Sequence, residues 1–454
     1  MMQSDDTASF RLSAEKASIN SGFAVQLDKD YRYNSQLCAA RFRLDNGLTI
    51  IFMPDRRAKL FAYQTWFRVG SRDESPTRTG LAHLFEHLMF KGTTTYPTGV
   101  FDREMEKLGT QTNAATWVDW TFYMQTLAAR ADNLQTIIDF ESDRMVNLVV
   151  DEETFRSELE VVKNERRMVV DDSVGGTISE TVFKTVFQKH SYRWPTIGYM
   201  EHLDATSVEE LRAFYKAFYA PNNATLVVAG DLDCEDFLTR VAKAYGPLES
   251  QKVSRPERLP EPEQTTPRDE VLHLEVTAPQ VVLAFQAPAQ STDGFAACEI
   301  LSEILVSGES SRLYRRLVIE EKIALDVSGY LAPFSDPGLF EIGVQGRPGS
   351  NPERIVEIVQ EELERLGAQG VSDKECSKAR NTLELSLLLG LKDADGCAEA
   401  LGHFETNFGD FTLGFKSMGR WEKVSNDSVV DVSREIFQVQ KRSVVTAVPR
   451  ESAA

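Results

Sequence analysis

The sequence predicts an α+β protein built from two similar domains, and three observations carry that prediction. Strand-like segments come in groups followed by runs of helices, not in strict alternation, which indicates mainly antiparallel sheets with helices packed on one face. At 454 residues the chain is too long for a single core. The same order of elements appears on both sides of residues 250–270, a stretch with four prolines and no apolar periodicity. That stretch reads as a stiff linker. The expected division is a first domain over 30–250, a linker over 251–270 and a second domain over 271–454, the two related by internal duplication.

In the first domain, Arg41 to Leu44 and Leu48 to Met53 flank Asp45-Asn46-Gly47, a strong hairpin signal because Asn-Gly accepts positive φ. A strand over Phe61 to Val69 follows, then a short apolar-faced helix from Leu81 to Phe90, then strands around Asn113 and Thr121. Helical periodicity predicts helices over 131–147, 152–170 and 206–219, with a closing strand over 224–230. Asp151 stands as N-cap of the second of these, with acids in its first turn. The second domain reads as strands 271–276 and 280–286, helices 294–306 and 311–321, and strands 325–333 and 338–345. Helices 352–367 and 372–390 and a closing strand over 443–448 complete it.

Composition is that of an ordinary globular chain, with 42% apolar and 26% charged residues. A net charge of −19 argues against nucleic acid or an anionic membrane surface as partner. It suits basic peptides, though plain solubility is the readier explanation of such a total. No apolar run approaches the ~20 residues needed to span a bilayer. The polar start Met1-Met2-Gln3-Ser4-Asp5-Asp6 is no signal peptide, so the expectation is cytoplasmic as written, and periplasmic if a leader has been removed. Five scattered cysteines suggest reduced, buried thiols more than a disulfide framework.

The chemistry concentrates at His83-Leu84-Phe85-Glu86-His87. Residues three and four apart share a helix face, so His83 and His87 can hold one metal ion with Glu86 beside them. This is the reverse order of the better-known zinc-protease helix. Zinc suits neutral imidazoles and leaves a position open for water, from which Glu86 would take a proton. An amphipathic helix whose histidines merely hydrogen-bond in place is the plainer reading. The apolar stripe of Leu81, Leu84, Phe85, Leu88, Met89 and Phe90 weighs against it, because a buried helix does not spend such residues idly. A third protein ligand must come from elsewhere. Glu158 and Glu165 lie two turns apart on the helix after Asp151. Acid-rich helices are most often solvated surface, and spacing alone leaves Glu165 undecided.

Gly80-Leu-Ala-His-Leu-Phe-Glu-His-Leu-Met-Phe-Lys-Gly-Thr93, followed by Glu158 to Arg166, resembles the pitrilysin/insulinase family of zinc peptidases. The resemblance points to its half-length branch, which includes mitochondrial processing peptidase and bacterial homologues. Asn113 to Thr116 with Thr121 to Tyr123, Pro195 to Gly198, Tyr219 to Ala224 and Val227 to Asp231 fit as well. The match covers most of residues 35–450 and is weaker in the second half. It implies that His83, His87 and Glu165 bind one Zn2+ per chain, that Glu86 is the general base, and that Glu158 supports a ligand histidine. It implies a strand at Asn113, Ala114 and Ala115 onto which a peptide substrate adds by main-chain hydrogen bonds. It further implies that the chain forms half of a clamshell chamber, admitting peptides or unfolded segments for zinc-assisted hydrolysis.

One departure stands out. The family carries an arginine and a tyrosine in a second-half stretch like Leu-Val-Arg-Glu-Glu-x-Gly-Leu-Ala-Tyr-Ser-Val. Here Leu317-Val318-Ile319-Glu320-Glu321-Lys322-Ile323-Ala324-Leu325-Asp326-Val327 puts Ile319 and Leu325 in those places, with the glycine position deleted. Neither side chain can donate a hydrogen bond to a developing oxyanion. The expectation is a zinc-bearing subunit whose related partner supplies the pair, as a heterodimer or else a homodimer. Arg316 and Tyr330 are the alternative pair within this chain. A non-catalytic core or assembly subunit and a zinc hydrolase of non-peptide substrates are the competing readings.

Overall fold

The computed structural model describes residues 2–34 and 37–450. Two compact units make up the chain, and neither is continuous in sequence. The first runs through Lys163 and adds Thr196–Glu257 and Leu389–Phe415; the second takes Asn164–Pro195, Arg258–Leu388 and the chain from Lys416 on. The strands divide on either side of the proline-rich segment, whereas two helical segments do not follow that linear division.

The first unit is organised on seven strands: β1 (Val25–Arg32), β2 (Cys38–Leu44), β3 (Thr49–Pro54), β4 (Leu60–Phe67), β5 (Gln111–Thr116), β6 (Thr121–Ala128) and β7 (Ala224–Gly230). Their order is β1-β2-β3-β7-β4-β6-β5, antiparallel throughout except for the parallel pair β3 and β7. The β2–β3 turn is closed at Gly47, whose φ of 87° and whose 2.7 Å approach to Asn222 leave no room for a side chain. Asn46 ties that turn down by donating its side-chain N–H to the Tyr245 and Leu248 carbonyls.

Helices α1 (Met2–Ser21), α2 (Leu81–Leu88), α3 (Val100–Lys107), α4 (Ala131–Asn147), α5 (Glu152–Arg166), α6 (Val174–Val186), α7 (Met200–Asp204), α8 (Val208–Phe218) and α9 (Cys234–Tyr245) belong to the first half of the chain. On one face of β4, Tyr63 meets the Tyr245 hydroxyl of α9 and Thr65 donates to Glu141 of α4. The opposite face of the same strand takes a helix from late in the sequence, described below. With both faces covered, β3, β4 and β7 are buried along nearly their whole length.

The second half adds β8 (Arg268–Leu274), β9 (Gln280–Ala287), β10 (Ala324–Leu331), β11 (Gly338–Gly346) and β12 (Ser443–Pro449), ordered β10-β11-β9-β12-β8, with only β12–β8 parallel. Its helices are α10 (Asp293–Val306), the single turn α11 (Arg312–Tyr314), α12 (Pro352–Gln369), α13 (Asp373–Gly390), α14 (Ala394–Phe408), α15 (Thr412–Lys423) and α16 (Asn426–Ile436). Leu283, Phe285 and Phe340 of the sheet pack with Ile300, Ile358, Val432 and Phe437 in one core. Helix α6 lies on the other face of β8, β9 and β12. In the first unit, α14 brings Gly402 against Trp66, so close that a Cβ would meet the indole at 2.2 Å. Asp395 of the same helix accepts from Gln64.

Two expected helices are shorter than their sequence pattern. The helix over 152–170 ends at Arg166 and continues as a π-helical turn over Arg167–Asp171. The helix over 311–321 is α11 followed by π-helical Arg315–Glu320, closed by Lys322 at a φ of 56°. All five cysteines are free thiols, four of them buried. Among the described residues, no helix is long and apolar enough to cross a membrane.

Candidate metal centre

Helix α2 is two turns long, and its burial follows its sequence: Leu81, Ala82, Leu84, Phe85 and Leu88 face the core. Phe85 stacks on Tyr215 and meets the tilted Tyr219 ring, with centroids 5.2 and 4.4 Å away, which seats the helix on α8. The remaining face carries His83, Glu86 and His87, all half-buried. The two imidazoles stand edge to face with centroids 4.8 Å apart.

The entry to the helix is fixed by glycine. Gly80 is the N-cap at a φ of 92°, and a Cβ there would lie 2.6 Å from the Ile197 carbonyl. Gly198 faces it at a φ of 82°, where a Cβ would lie 2.4 Å from the Thr79 carbonyl. The Thr79 hydroxyl hydrogen-bonds His202 Nδ1 at 2.8 Å and accepts from the Tyr199 amide at 3.0 Å.

Asp151 caps α5 by accepting from the Thr154 amide at 2.8 Å. The helix packs with the first unit as far as Lys163 and continues unbroken to Arg166, so it carries Glu165. One ligand atom from each of His83, His87 and Glu165 lies within 4.8 Å of the others, and each of the three residues is half-buried. Two imidazoles and a carboxylate form a donor set proper to catalytic zinc. Tetrahedral ligands about 2.1 Å from an ion stand roughly 3.4 Å apart, so small side-chain rotations suffice to close this set. The residues fit the metal.

Glu158, one helical heptad before Glu165, is buried. One of its oxygens takes the Lys91 ammonium at 2.8 Å, and the other lies 3.9 Å from His87 Nδ1. That is beyond hydrogen-bond range, yet it puts the carboxylate beside the imidazole. Asn113, Ala114 and Ala115 lie on β5, the last strand of its sheet, paired on one side with Met124, Tyr123 and Phe122 of β6. Helix α2 packs against this strand. In the second unit, Ile319 and Leu325 are exposed. Arg316 is engaged by acids, 2.9 Å from Glu321 and 3.6 Å from Glu320.

Residues 53–198 match the insulinase family, peptidase family M16, and residues 205–383 match the peptidase M16 inactive domain. The chain belongs to the insulinase family. It is 27% identical to the zinc protease PqqE of Helicobacter pylori over 360 residues, covering 78% of this chain and 80% of that protein. It is 25% identical to an uncharacterized zinc protease of Bacillus subtilis, YmxG, over 402 residues, covering 87% and 95%. A crystal structure of a protease from Helicobacter pylori superposes with a TM-score of 0.86 at 25% identity, covering 93% of this chain and all of that one. The periplasmic protease PqqL from Escherichia coli shares the fold at a TM-score of 0.77 and 21% identity; 93% of this chain matches 48% of that one.

Within this insulinase-family fold, several residues around α2 were not singled out from sequence. Tyr123 and Tyr219 pair their hydroxyls at 3.2 Å, and burial, with the nearby Glu86 charge adding to it, pushes both phenols up. The buried Arg144 lies over the Tyr123 ring at 4.5 Å. Lys91 follows the histidine motif by one turn, a spacing that could have suggested it. Glu74 had no such signal: it reaches the helix start from six residues upstream.

Proposed function

We propose that this chain is the zinc-bearing subunit of a metalloendopeptidase that cleaves peptides or unfolded segments. The observation that carries the reading is the convergence of His83, His87 and Glu165, from two separate helices, within 4.8 Å. The names of the relatives, zinc proteases at up to 27% identity, support it. A zinc ion held by these three residues supplies Lewis acidity toward a carbonyl oxygen and toward water. Glu86, on the same helix face, takes the proton of the attacking water and returns it to the leaving amine. Glu158, itself held by Lys91, keeps the His87 ring in position. The β5 edge at Asn113, Ala114 and Ala115 receives the substrate main chain as an added strand, which leaves side-chain selection loose.

The exposed, apolar Ile319 and Leu325 favour a related partner subunit that supplies the arginine and tyrosine. The length relation to PqqL, in which one chain is about twice as long as this one, supports pairing of two such halves. The same two residues are what favours the second reading, a non-catalytic subunit. A Glu86→Gln variant separates them. Peptide cleavage by the chain with its partner should fall by about 10^2-fold or more, while zinc and partner binding persist. If wild type and variant are equally inert under every pairing, the catalytic assignment fails.

A further inference from the structure

We propose that Glu74 is a positioning residue for the metal-binding helix, one that sets the place of His83 without touching the metal. This rests on the metal-site reading above. A helix leaves its first N–H groups without internal partners, and a Ser, Thr, Asp or Asn at the N-cap usually satisfies one of them. Here the N-cap is Gly80, which has no side chain and cannot be given one, because Ile197 and Gly198 close against it. The cap therefore comes from outside the helix. Glu74 Oε2 accepts from the Gly80 amide at 2.9 Å and Oε1 from the Ala82 amide at 2.8 Å.

Those two amides bracket Leu81, and His83 is the next residue. With α2 only two turns long, the two histidines are held by different means. His87 sits in the last turn, where Leu84, Phe85 and Leu88 lock the helix to its neighbours. His83 sits in the first turn, where the buried Leu81 and Ala82 are joined by the grip of Glu74 on the Gly80 and Ala82 amides. When ionised, the Glu74 carboxyl also complements the positive end of the helix dipole.

The arrangement is a costly way to cap a helix. Glu74 is only 3% exposed, and Asp73 lies beside it. Burial pushes its carboxyl up to about 8, against the pull of the Ala82 and Gly80 amides. An exposed cap of the ordinary kind, such as Asp233 on α9, avoids that cost. A buried acid that grips two amides of one helix start, Gly80 and Ala82, points to a demand beyond stability, namely a fixed first turn.

The test compares the wild-type chain with Glu74→Gln and Glu74→Ala, and uses Asp233→Ala as a control that removes a helix cap away from the site. Zinc affinity is measured by competition with a chromophoric chelator, and the cobalt(II)-loaded proteins are compared by visible absorption. Zinc affinity should fall roughly 10- to 100-fold in Glu74→Ala, the range seen when a group supporting a metal ligand is lost. It should fall less in Glu74→Gln, which keeps one acceptor oxygen, and the cobalt band should shift in both. Asp233→Ala should lose thermal stability while binding zinc as wild type does. Wild-type zinc affinity and an unshifted cobalt band in folded Glu74→Gln would overturn the proposal, and that variant decides the matter if the alanine variant does not fold. Wild-type protein that binds no zinc would instead overturn the metal site itself.

Discussion

At Gly80 and Gly198 two backbone segments pass with no space between them, and the start of the metal helix depends on that contact. Gly198→Ala adds a Cβ 2.4 Å from the Thr79 carbonyl at a φ of 82°. It should cost about 2–4 kcal/mol in denaturant unfolding, from strain and clash together; a loss under 0.5 kcal/mol would contradict the account. Lys322 presents the opposite case. Its φ of 56° is one that glycine adopts freely. Lys322→Gly should therefore raise stability by roughly 0.5–1 kcal/mol in the same measurement; a stability loss would contradict it. Both glycines stand in the sequence, at the head of the histidine motif and in Pro195 to Gly198. That they oppose one another is a tertiary fact with no local signature. Glu74 was hidden for the same reason, since its partners are backbone amides that a sequence does not display.

At the scale of elements, turn chemistry and periodicity were legible. Asp45-Asn46-Gly47 closes a hairpin, Asp151 caps α5, and the paired histidines sit on one helix. What local pattern did not show is where a helix changes pitch. Arg167–Asp171 and Arg315–Glu320 keep a helical composition while winding as π-helix. Nor did it show which sheet a helix covers, because α14 is specified by its fit to Trp66 and Gln64. Helix α10 offers a pH test. Burial pushes the Glu299 carboxyl up to about 7 from an ordinary 4.5, although it accepts from the Trp421 indole at 2.8 Å. Between those two values the folded chain binds more protons than the unfolded chain, so this group makes stability fall as pH rises through that window. Glu299→Gln keeps an acceptor for Trp421 and removes the titration. It should melt higher than wild type at pH 8, by about 3 kcal/mol of stability, with the gain vanishing near pH 4. A gain that is constant with pH would contradict the assignment.

For the molecule as a whole, the two-sheet plan was readable because each half carries its own strands in recognisable order. The exchange of helical segments was not, since residues 164–195 and 389–415 join units whose strands lie elsewhere in the sequence. The candidate metal centre was the most legible part of the protein. Two proposed ligands and the proposed base lie within five residues, and the proposed third donor emerged only with the family resemblance that the fold and the family match now support. The most direct test of the central claim is the zinc content of purified wild type and of Glu165→Ala after dialysis against trace zinc. One zinc ion per chain is predicted for the wild type and little or none for the variant. A wild-type chain that holds no zinc, or a variant that keeps its full share, would contradict it.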